Sequence, residues 1–210
     1  MIEPVAWEIT GLKRRSNSHT GALMNSSEDL ITRARAGEQD AFRLIFERYA
    51  KPVLSFIYEM VGERDLAEEL AQETFVRAFK NLGRLRDDTK LATWLFGIGK
   101  NVARESLRSK RKEKQSHCEL DAAVLESETN SRVSPSEDLF GRELDTAIRK
   151  ALDTLDDDRR LVFILKVYQQ CRYDEIAEIT GFSVGKVKTD LHRARVELRR
   201  RLSPFLESTR

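Results

Sequence analysis

The chain has 210 residues, enough for one sizeable core or two small ones. Its 37 basic and 35 acidic residues give a formal net charge of only +2, which excludes a polycation that binds nucleic acid along its whole length. No apolar run approaches the roughly 18 residues that a membrane-spanning helix needs, and the N-terminus lacks an apolar segment of signal-peptide length. We therefore expect a cytoplasmic protein without membrane insertion.

Charge is segregated along the chain although the net charge is small. Basic residues dominate 104–114 and 193–201, whereas acidic residues are concentrated in 63–73, 119–138 and 153–158. Such segregation indicates separate surfaces for nucleic acid and for a protein partner.

The two cysteines, Cys118 and Cys171, are far apart and form no CxxC motif. A disulfide framework is not expected, which favours a reducing compartment. His117 beside Cys118 could ligate a metal, but two adjacent ligands are weak evidence for a site. We predict no metal and no cofactor.

In chain order, residues 1–26 are expected to be a poorly ordered extension, with helix beginning at Ser27. A first helical domain is predicted over 27–112, with breaks at Gly62 and over 83–89. Its apolar residues recur at three- and four-residue steps, as in Phe42, Ile45, Phe46 and Tyr49 and again in Leu66, Leu70, Phe75 and Phe79.

The segment DLAEELAQETFVRAF, residues 65–79, predicts an amphipathic helix with polar side chains on its exposed side. That side carries Asp65, Glu68, Glu69, Gln72 and Glu73. A solvated acidic face and a docking surface for a larger protein both fit this pattern.

The segment TWLFGIGKN, residues 93–101, leads into the basic run. An aromatic and amide-bearing helix beside dense positive charge suits single-stranded DNA, because unpaired bases can stack or enter pockets. Trp94 fits a core position better than a base platform, since its apolar neighbours recur at helical spacing. Asn101 is the candidate reader of a base edge, with Arg104 and Arg108 close by.

Residues 113–136 are polar and aperiodic, which predicts a flexible linker. A second helical domain is predicted over 137–206. The expected fold class is all-α: two small helical domains joined by that linker.

The segment 173–195, YDEIAEITGFSVGKVKTDLHRAR, predicts a helix-turn-helix. Ala177 allows a close helix approach, Gly181 allows positive φ in the turn, and Ser183 is a candidate N-cap. The second helix then carries basic and polar side chains that suit a DNA groove: Lys186, Lys188, Thr189, Arg193 and Arg195.

The order of these motifs resembles a bacterial RNA polymerase sigma factor of the extracytoplasmic-function (ECF) group in the sigma-70 family. Region 2 of such factors is similar to AEELAQETFVRAF and TWLFGIGKN. Region 4 is similar to LDTLDDDRRLVFILKVY and the helix-turn-helix. The resemblance covers roughly 28–112 and 137–203, and it implies a non-enzymatic protein that directs core polymerase to promoters.

The resemblance also implies roles for particular residues and partners. The helix over 65–79 corresponds to the one that binds the clamp helices of the β′ subunit, and the β subunit is a further expected contact. Asn81, Leu85 and Asn101 correspond to positions at the pocket for a base flipped from the melted −10 element. The second helix of 173–195 corresponds to the reader of the −35 duplex, and an anti-sigma factor is an expected regulator.

Three positions depart from the family pattern. Leu85 stands where some members have an aromatic residue, and Gly97 with Gly99 makes the TWLFGIGKN helix richer in glycine. Asp190 stands where a basic residue is common. Asp190 could accept from a cytosine amino group, or it could pair with Lys186 or Arg193.

Rival interpretations remain at this stage. A stand-alone helix-turn-helix regulator would share the reader but needs no acidic docking helix. A helical adaptor would leave the two basic segments unexplained. An enzyme is the least favoured, because the histidines are scattered and no nucleophile–base pair is visible.

Overall fold

The computed structural model describes residues 27–117 and 139–207, with side chains in 29–113 and 146–203. All regular structure in these ranges is helical, which confirms the predicted all-α class. The helices are α1 (Ser27–Arg35), α2 (Gln39–Val61), α3 (Arg64–Asn81), α4 (Leu91–His117), α5 (Leu139–Asp153), α6 (Asp157–Val167), α7 (Tyr173–Thr180) and α8 (Val184–Glu207). Two short 3₁₀ turns, Leu82–Arg84 and Asp88–Lys90, join α3 to α4. Within the same ranges, no helix combines the length and the apolar character that a membrane span requires.

The first domain is a bundle of α1–α4. Gly62 ends α2 at φ +75°, and its N–H donates to the Tyr58 carbonyl at 2.8 Å, a left-handed cap that favours glycine. The face of α3 turned to the core is rich in small residues, among them Ala67, Ala71 and Ala78. Small side chains let α3 lie close to both α2 and α4, with which it packs.

Two aromatic residues that the spacing places in the core lie at its rim instead. Phe46 is 42% exposed and Phe79 is 53% exposed. Phe79 makes an edge-to-face contact with Phe42 of α2 at 4.9 Å between ring centroids, and Phe46 makes one with Phe75 at 4.8 Å. The buried stripe of α3 runs through Phe75 and Ala78, so position 79 falls on the edge of that stripe.

The second domain consists of α5–α8 and contains the predicted helix-turn-helix. Gly181 follows α7 at φ +79°, and its N–H donates to the Ala177 carbonyl at 2.8 Å, as the sequence predicts. The Ser183 hydroxyl accepts from the Lys186 N–H at 3.2 Å, the expected N-cap contact at the start of α8. These two local devices fix the angle between α7 and α8.

The domain boundaries differ slightly from the prediction. Helix α1 begins at Ser27, as expected, but α4 continues to His117, so residues 113–117 are helical rather than part of a linker. Lysine, glutamate and glutamine are good helix formers and extend α4 past the basic run. The rest of the predicted linker and the N-terminal extension lie outside the described residues.

The two domains pack against each other, an arrangement that the sequence does not predict. Helix α7 lies on α4, and α6 lies on α2. One continuous cluster of buried residues includes Phe56 and Ile57 of the first domain together with Leu161, Leu165 and Ile176 of the second. The structure is therefore a closed arrangement of both domains.

Candidate nucleic-acid interface

The candidate −35 reader is one face of α8. Val187, Leu191 and Ala194 are buried against the rest of the second domain. With 3.6 residues per turn, this burial turns the intervening positions toward solvent. All the basic and polar residues predicted for duplex contact are exposed there: Lys186, Lys188, Thr189, Arg193 and Arg195.

Asp190 does not belong to that exposed face. Its exposure is only 7%, and its carboxylate pairs with Nζ of Lys186, one turn earlier. The hydrogen bond that Lys186 donates to this carboxylate raises the pKa of Lys186. Of the alternatives open for Asp190, the structure contains the ion pair with Lys186.

The candidate −10 surface is a cavity of about 540 Å³ beside α4. Asn101 is exposed at this cavity, and Gly97 and Trp94 line it one and two turns earlier, respectively. Trp94 is half-buried and packs against the core, so it serves the core and the cavity wall together. No side chain approaches a Cβ built on Gly97 within 4 Å, and this glycine leaves the cavity wider than another residue would.

Leu85 also lines this cavity, but its side chain is only 5% exposed. The Leu85 carbonyl accepts a hydrogen bond from Arg35, whose guanidinium also pairs with Asp88 at 2.7 Å. Leu85 therefore contributes an apolar side chain to the cavity wall, rather than an aromatic ring on which a base could stack. Its backbone is fixed by the hydrogen bond from Arg35 of α1.

Asn81 lies in a neighbouring cavity of about 260 Å³, which Asn101 and Trp94 also line. Its amide donates to the Arg77 carbonyl at 2.8 Å. Arg77 donates to Glu73 at 2.7 Å and to Glu105 at 2.8 Å, and these hydrogen bonds raise the pKa of Arg77. The predicted −10 residues Asn81, Leu85 and Asn101 thus gather around two adjoining cavities.

Positive charge continues along α4 beyond Asn101. Arg104 is partly buried and pairs with Asp158 of α6 at 3.0 Å, whereas Arg108 is exposed. Lys100 is half-buried and donates to the Ile179 carbonyl at 2.7 Å, and burial lowers its pKa. Two of these cations therefore already contact the second domain.

The candidate docking surface on α3 is exposed along its length. Asp65, Glu69 and Gln72 are exposed, while Glu68 pairs with Arg64 at 3.0 Å. Glu73 is half-buried by its pair with Arg77. The same side of α3 continues into Val76 and Phe79, which are among the exposed large apolar residues. An acidic strip thus runs into an apolar patch, a combination suited to a protein partner.

Three residues that line the larger cavity could not be predicted from the local sequence. Glu178 and Ile179 of α7 line the larger cavity from the second domain, and Lys90 lines it from the first. Lys90 lies 2.9 Å from Glu178 across 88 residues of sequence, and that hydrogen bond raises the pKa of Lys90. Only the packing of the two domains brings these side chains together.

Metal binding and thiol chemistry have little support in the described residues. In the parts of the chain that the structure describes, no three His, Cys, Asp or Glu side chains cluster as metal ligands would. Cys171 is buried, and burial raises the pKa of its thiol to about 11, which makes the thiolate scarce at neutral pH. Cys118 lies outside the described residues.

Comparison with known proteins identifies both helical domains. Residues 45–113 match the family model for sigma-70 region 2, and residues 145–198 match that for sigma-70 region 4. The ECF RNA polymerase sigma factor SigW of Bacillus subtilis is 33% identical over 180 residues, which cover 82% of this chain and 94% of that protein. The sigma factor CarQ of Myxococcus xanthus is 32% identical over 169 residues, 80% and 93% of the two chains.

Solved structures give the same result. The sigma factor RpoE from Bartonella quintana, in complex with the anti-sigma factor NepR, is 25% identical with a TM-score of 0.62 over 77% of this chain and 96% of that one. CnrH in complex with the cytosolic domain of CnrY shares the fold at 22% identity and a TM-score of 0.61, covering 87% and 97% of the two chains. The two matched regions coincide with the two helical domains described above, and the chain belongs to the sigma-70 family of RNA polymerase sigma factors, in its extracytoplasmic-function group.

Proposed function

We propose that this sigma factor binds core RNA polymerase through α3 and directs it to promoters through two DNA surfaces. Helix α8 reads the −35 duplex, and the Asn101 cavity holds a base from the melted −10 strand. The chain itself performs no chemistry, and it acts in the cytoplasm, where polymerase transcribes. The supporting observation is that one chain carries an exposed basic face on α8, a cavity beside the exposed Asn101, and an exposed acidic strip on α3.

At the −35 element, α8 enters the major groove with its exposed face. Arg193 and Arg195 can contact guanine edges or phosphates, and Lys188 and Thr189 are placed beside them. Lys186 contributes chiefly to phosphate binding once it is released from its carboxylate partners, since a lysine is a compact charge without the fork of an arginine.

At the −10 element, the Asn101 amide can donate to and accept from the edge of an unstacked base. Trp94, Leu85 and Gly97 provide an apolar wall with space beside it. Arg104 and Arg108 follow on α4 and suit the phosphates of the single strand. Capture of one base in this cavity offsets a few kcal/mol of the cost of opening the duplex.

The acidic strip of α3 and its apolar patch of Val76 and Phe79, together with the exposed Phe46 of α2, bind the β′ clamp helices. The apolar patch supplies buried area, while the carboxylates complement basic side chains and set the orientation. Contacts between the second domain and the β subunit would hold the reader over the −35 element.

An anti-sigma factor is the expected regulator. Both solved relatives described above were captured with a partner chain, which is an anti-sigma factor for RpoE. Co-expression of this chain with a tagged candidate anti-sigma factor should yield a complex that no longer binds core polymerase. A candidate that co-purifies but leaves transcription unchanged would not be that regulator.

Reconstitution tests the function directly. Core polymerase with and without the purified chain is incubated with fragmented genomic DNA, and the transcripts are sequenced from their 5′ ends. We expect a new set of start sites that share upstream elements at −10 and −35. The proposal fails if the chain neither binds core polymerase nor adds start sites.

The stand-alone regulator makes the opposite prediction. It would protect duplex DNA strongly without polymerase and would change no start site of the core enzyme. The same footprinting assay, run with and without polymerase, separates the two functions.

A further inference from the structure

Gly97 and Gly99 lie two residues apart on α4 but face different surroundings. A Cβ built on Gly99 would lie 3.6 Å from the Ile57 side chain and 3.7 Å from that of Phe56, so this glycine lets α4 approach α2 closely. Gly97 is half-buried and lines the larger cavity, and no side chain beyond its two neighbours in sequence comes within 4 Å of a Cβ built on it. Core packing therefore accounts for Gly99 but not for Gly97.

Gly97 leaves a gap in the wall that α4 gives to the cavity. Trp94 precedes it by one turn and Asn101 follows it by one turn, and all three residues line the cavity. At a rise of about 1.5 Å per residue, the backbone positions of Trp94 and Asn101 are about 10.5 Å apart along the helix axis. Because Gly97 has no side chain, the space between the indole and the amide stays open over that length.

Leu85 adds to this space from the turn between α3 and α4. It lines the same cavity with a buried aliphatic side chain, which extends less far than an aromatic ring would. Leu85, Trp94, Gly97 and Asn101 all belong to the first domain, so the gap does not depend on the part of the wall that α7 contributes. The first domain alone thus has room for a base of two fused rings.

The hydrogen-bonding groups at the cavity also favour a purine. An asparagine amide pairs with N6 and N7 of adenine, and an arginine guanidinium pairs with O6 and N7 of guanine. Asn101 supplies the amide, and Arg84, which is exposed and lines both cavities, supplies a guanidinium. Among the described residues, none forms an ion pair with Arg84. Both pairings use N7, an acceptor that pyrimidines lack.

We propose that the −10 cavity selects a purine and that Gly97 is the residue that sets this selectivity. The gap at Gly97 admits the second ring, while Asn101 and Arg84 bind the edge that carries N7. A pyrimidine in the same place would leave a donor without its acceptor and part of the gap without contacts. This inference rests on the proposed function, because it specifies which base the Asn101 cavity takes.

The test uses the holoenzyme formed from core polymerase and the full chain. Forked promoter DNA, taken from one of the mapped start sites, keeps the −35 element as duplex and carries the −10 element as a randomised single strand. Bound DNA is recovered and sequenced beside the input, for the wild type and for Asn101→Ala. The −10 position at which Asn101→Ala loses its base preference is the one that the cavity holds.

At that position we expect the wild type to enrich adenine and guanine about tenfold over cytosine and thymine, which is within the discrimination of a bidentate base contact. Gly97→Leu fills the gap with an aliphatic side chain and should remove this enrichment or reverse it. The preferences of Gly97→Leu at the other −10 positions should stay those of the wild type, because their bases lie outside the cavity.

Gly97→Ala and Gly99→Ala form a matched control pair. Both replace a helical glycine by alanine and raise helix propensity by the same amount, but only Gly97→Ala adds an atom at the cavity. Gly97→Ala should reduce the purine enrichment, whereas Gly99→Ala should leave it unchanged. Circular dichroism and binding to core polymerase check that each variant is folded and assembled.

Two results would overturn the proposal. The first is equal or greater enrichment of a pyrimidine by the wild type at the position that the cavity holds. The second is wild-type purine enrichment in both Gly97 variants, or in Gly97→Ala alone if Gly97→Leu does not assemble. Failure of the proposed function looks different: the holoenzyme then enriches no −10 sequence, or Asn101→Ala changes the preference at no position.

Discussion

Asn101 lies at an exposed position of α4 with apolar surface on one side and positive charge on the other. The cavity wall of Trp94 and Leu85 can shield a base edge from water, which makes a hydrogen bond to the Asn101 amide more discriminating. The role of Asn101 is therefore expected at the melted strand and not at the duplex.

We expect Asn101→Ala to weaken promoter opening by about 1–3 kcal/mol, the usual worth of a base-edge contact, while duplex binding stays unchanged. Permanganate reactivity of thymines in the bubble reports opening, and a mobility shift on fully duplex promoter reports binding, both with core polymerase. Ser106→Ala, on another side of α4, is the control. A parallel loss in both assays would show that Asn101 does not act on the melted strand.

Single residues also show where sequence reasoning stops. Val187, Leu191 and Ala194 are buried at helical spacing, and position 190 lies among them, so the burial of Asp190 could be read from its neighbours. The second partner of Lys186 could not be predicted in this way, because Asp158 is 28 residues away on another helix. Local periodicity predicts which face a residue occupies, but not which distant charge meets it.

At the scale of helices, strong periodicity and clear caps were sufficient to predict where the helices of the helix-turn-helix begin and end. Gly62 ends α2 where the sequence predicts a break, Gly181 has the predicted positive φ, and Ser183 makes the predicted N-cap contact. The rim aromatics Phe46 and Phe79 did not follow the prediction, because a three- and four-residue pattern does not separate the centre of an apolar stripe from its edge. Their exposure extends the candidate docking surface of α3.

We expect the substitution pair E69K/Q72A to lower the affinity of the chain for core polymerase at least about tenfold. Like charges brought together in a docking surface cost several kcal/mol, and about 1.4 kcal/mol is already tenfold. Glu69 and Gln72 are exposed, so the fold should not change. Fluorescence anisotropy of labelled chain with core enzyme measures this affinity.

The control for α3 is Glu113→Lys, which reverses an exposed charge on α4 instead. It should bind core polymerase as the wild type does. Equal affinities for E69K/Q72A and the wild type would place the polymerase contact elsewhere on the chain.

At the scale of the molecule, the sequence indicated two helical domains but not how they sit together. Helix α7 contacts the first domain through Glu178, which pairs with Lys90, and through the Ile179 carbonyl, which accepts from Lys100. Neither contact belongs to a sequence pattern that predicts a partner elsewhere in the chain. Contacts between domains depend on the shapes of their surfaces and on where the charges lie in three dimensions. Local patterns in a single sequence do not predict them.

The closed arrangement makes a prediction about unfolding of the free chain. The core cluster runs from Phe56 and Ile57 through Leu161 to Ile176, so loss of either domain exposes apolar surface of the other. We expect one cooperative transition by calorimetry, with equal calorimetric and van't Hoff enthalpies. Exposed ion pairs contribute at most about 1 kcal/mol each and are screened by salt, so 0.5 M salt should lower the midpoint without splitting the transition. Two resolved transitions at low salt would mean that the domains unfold independently and that the apolar contact does not couple them.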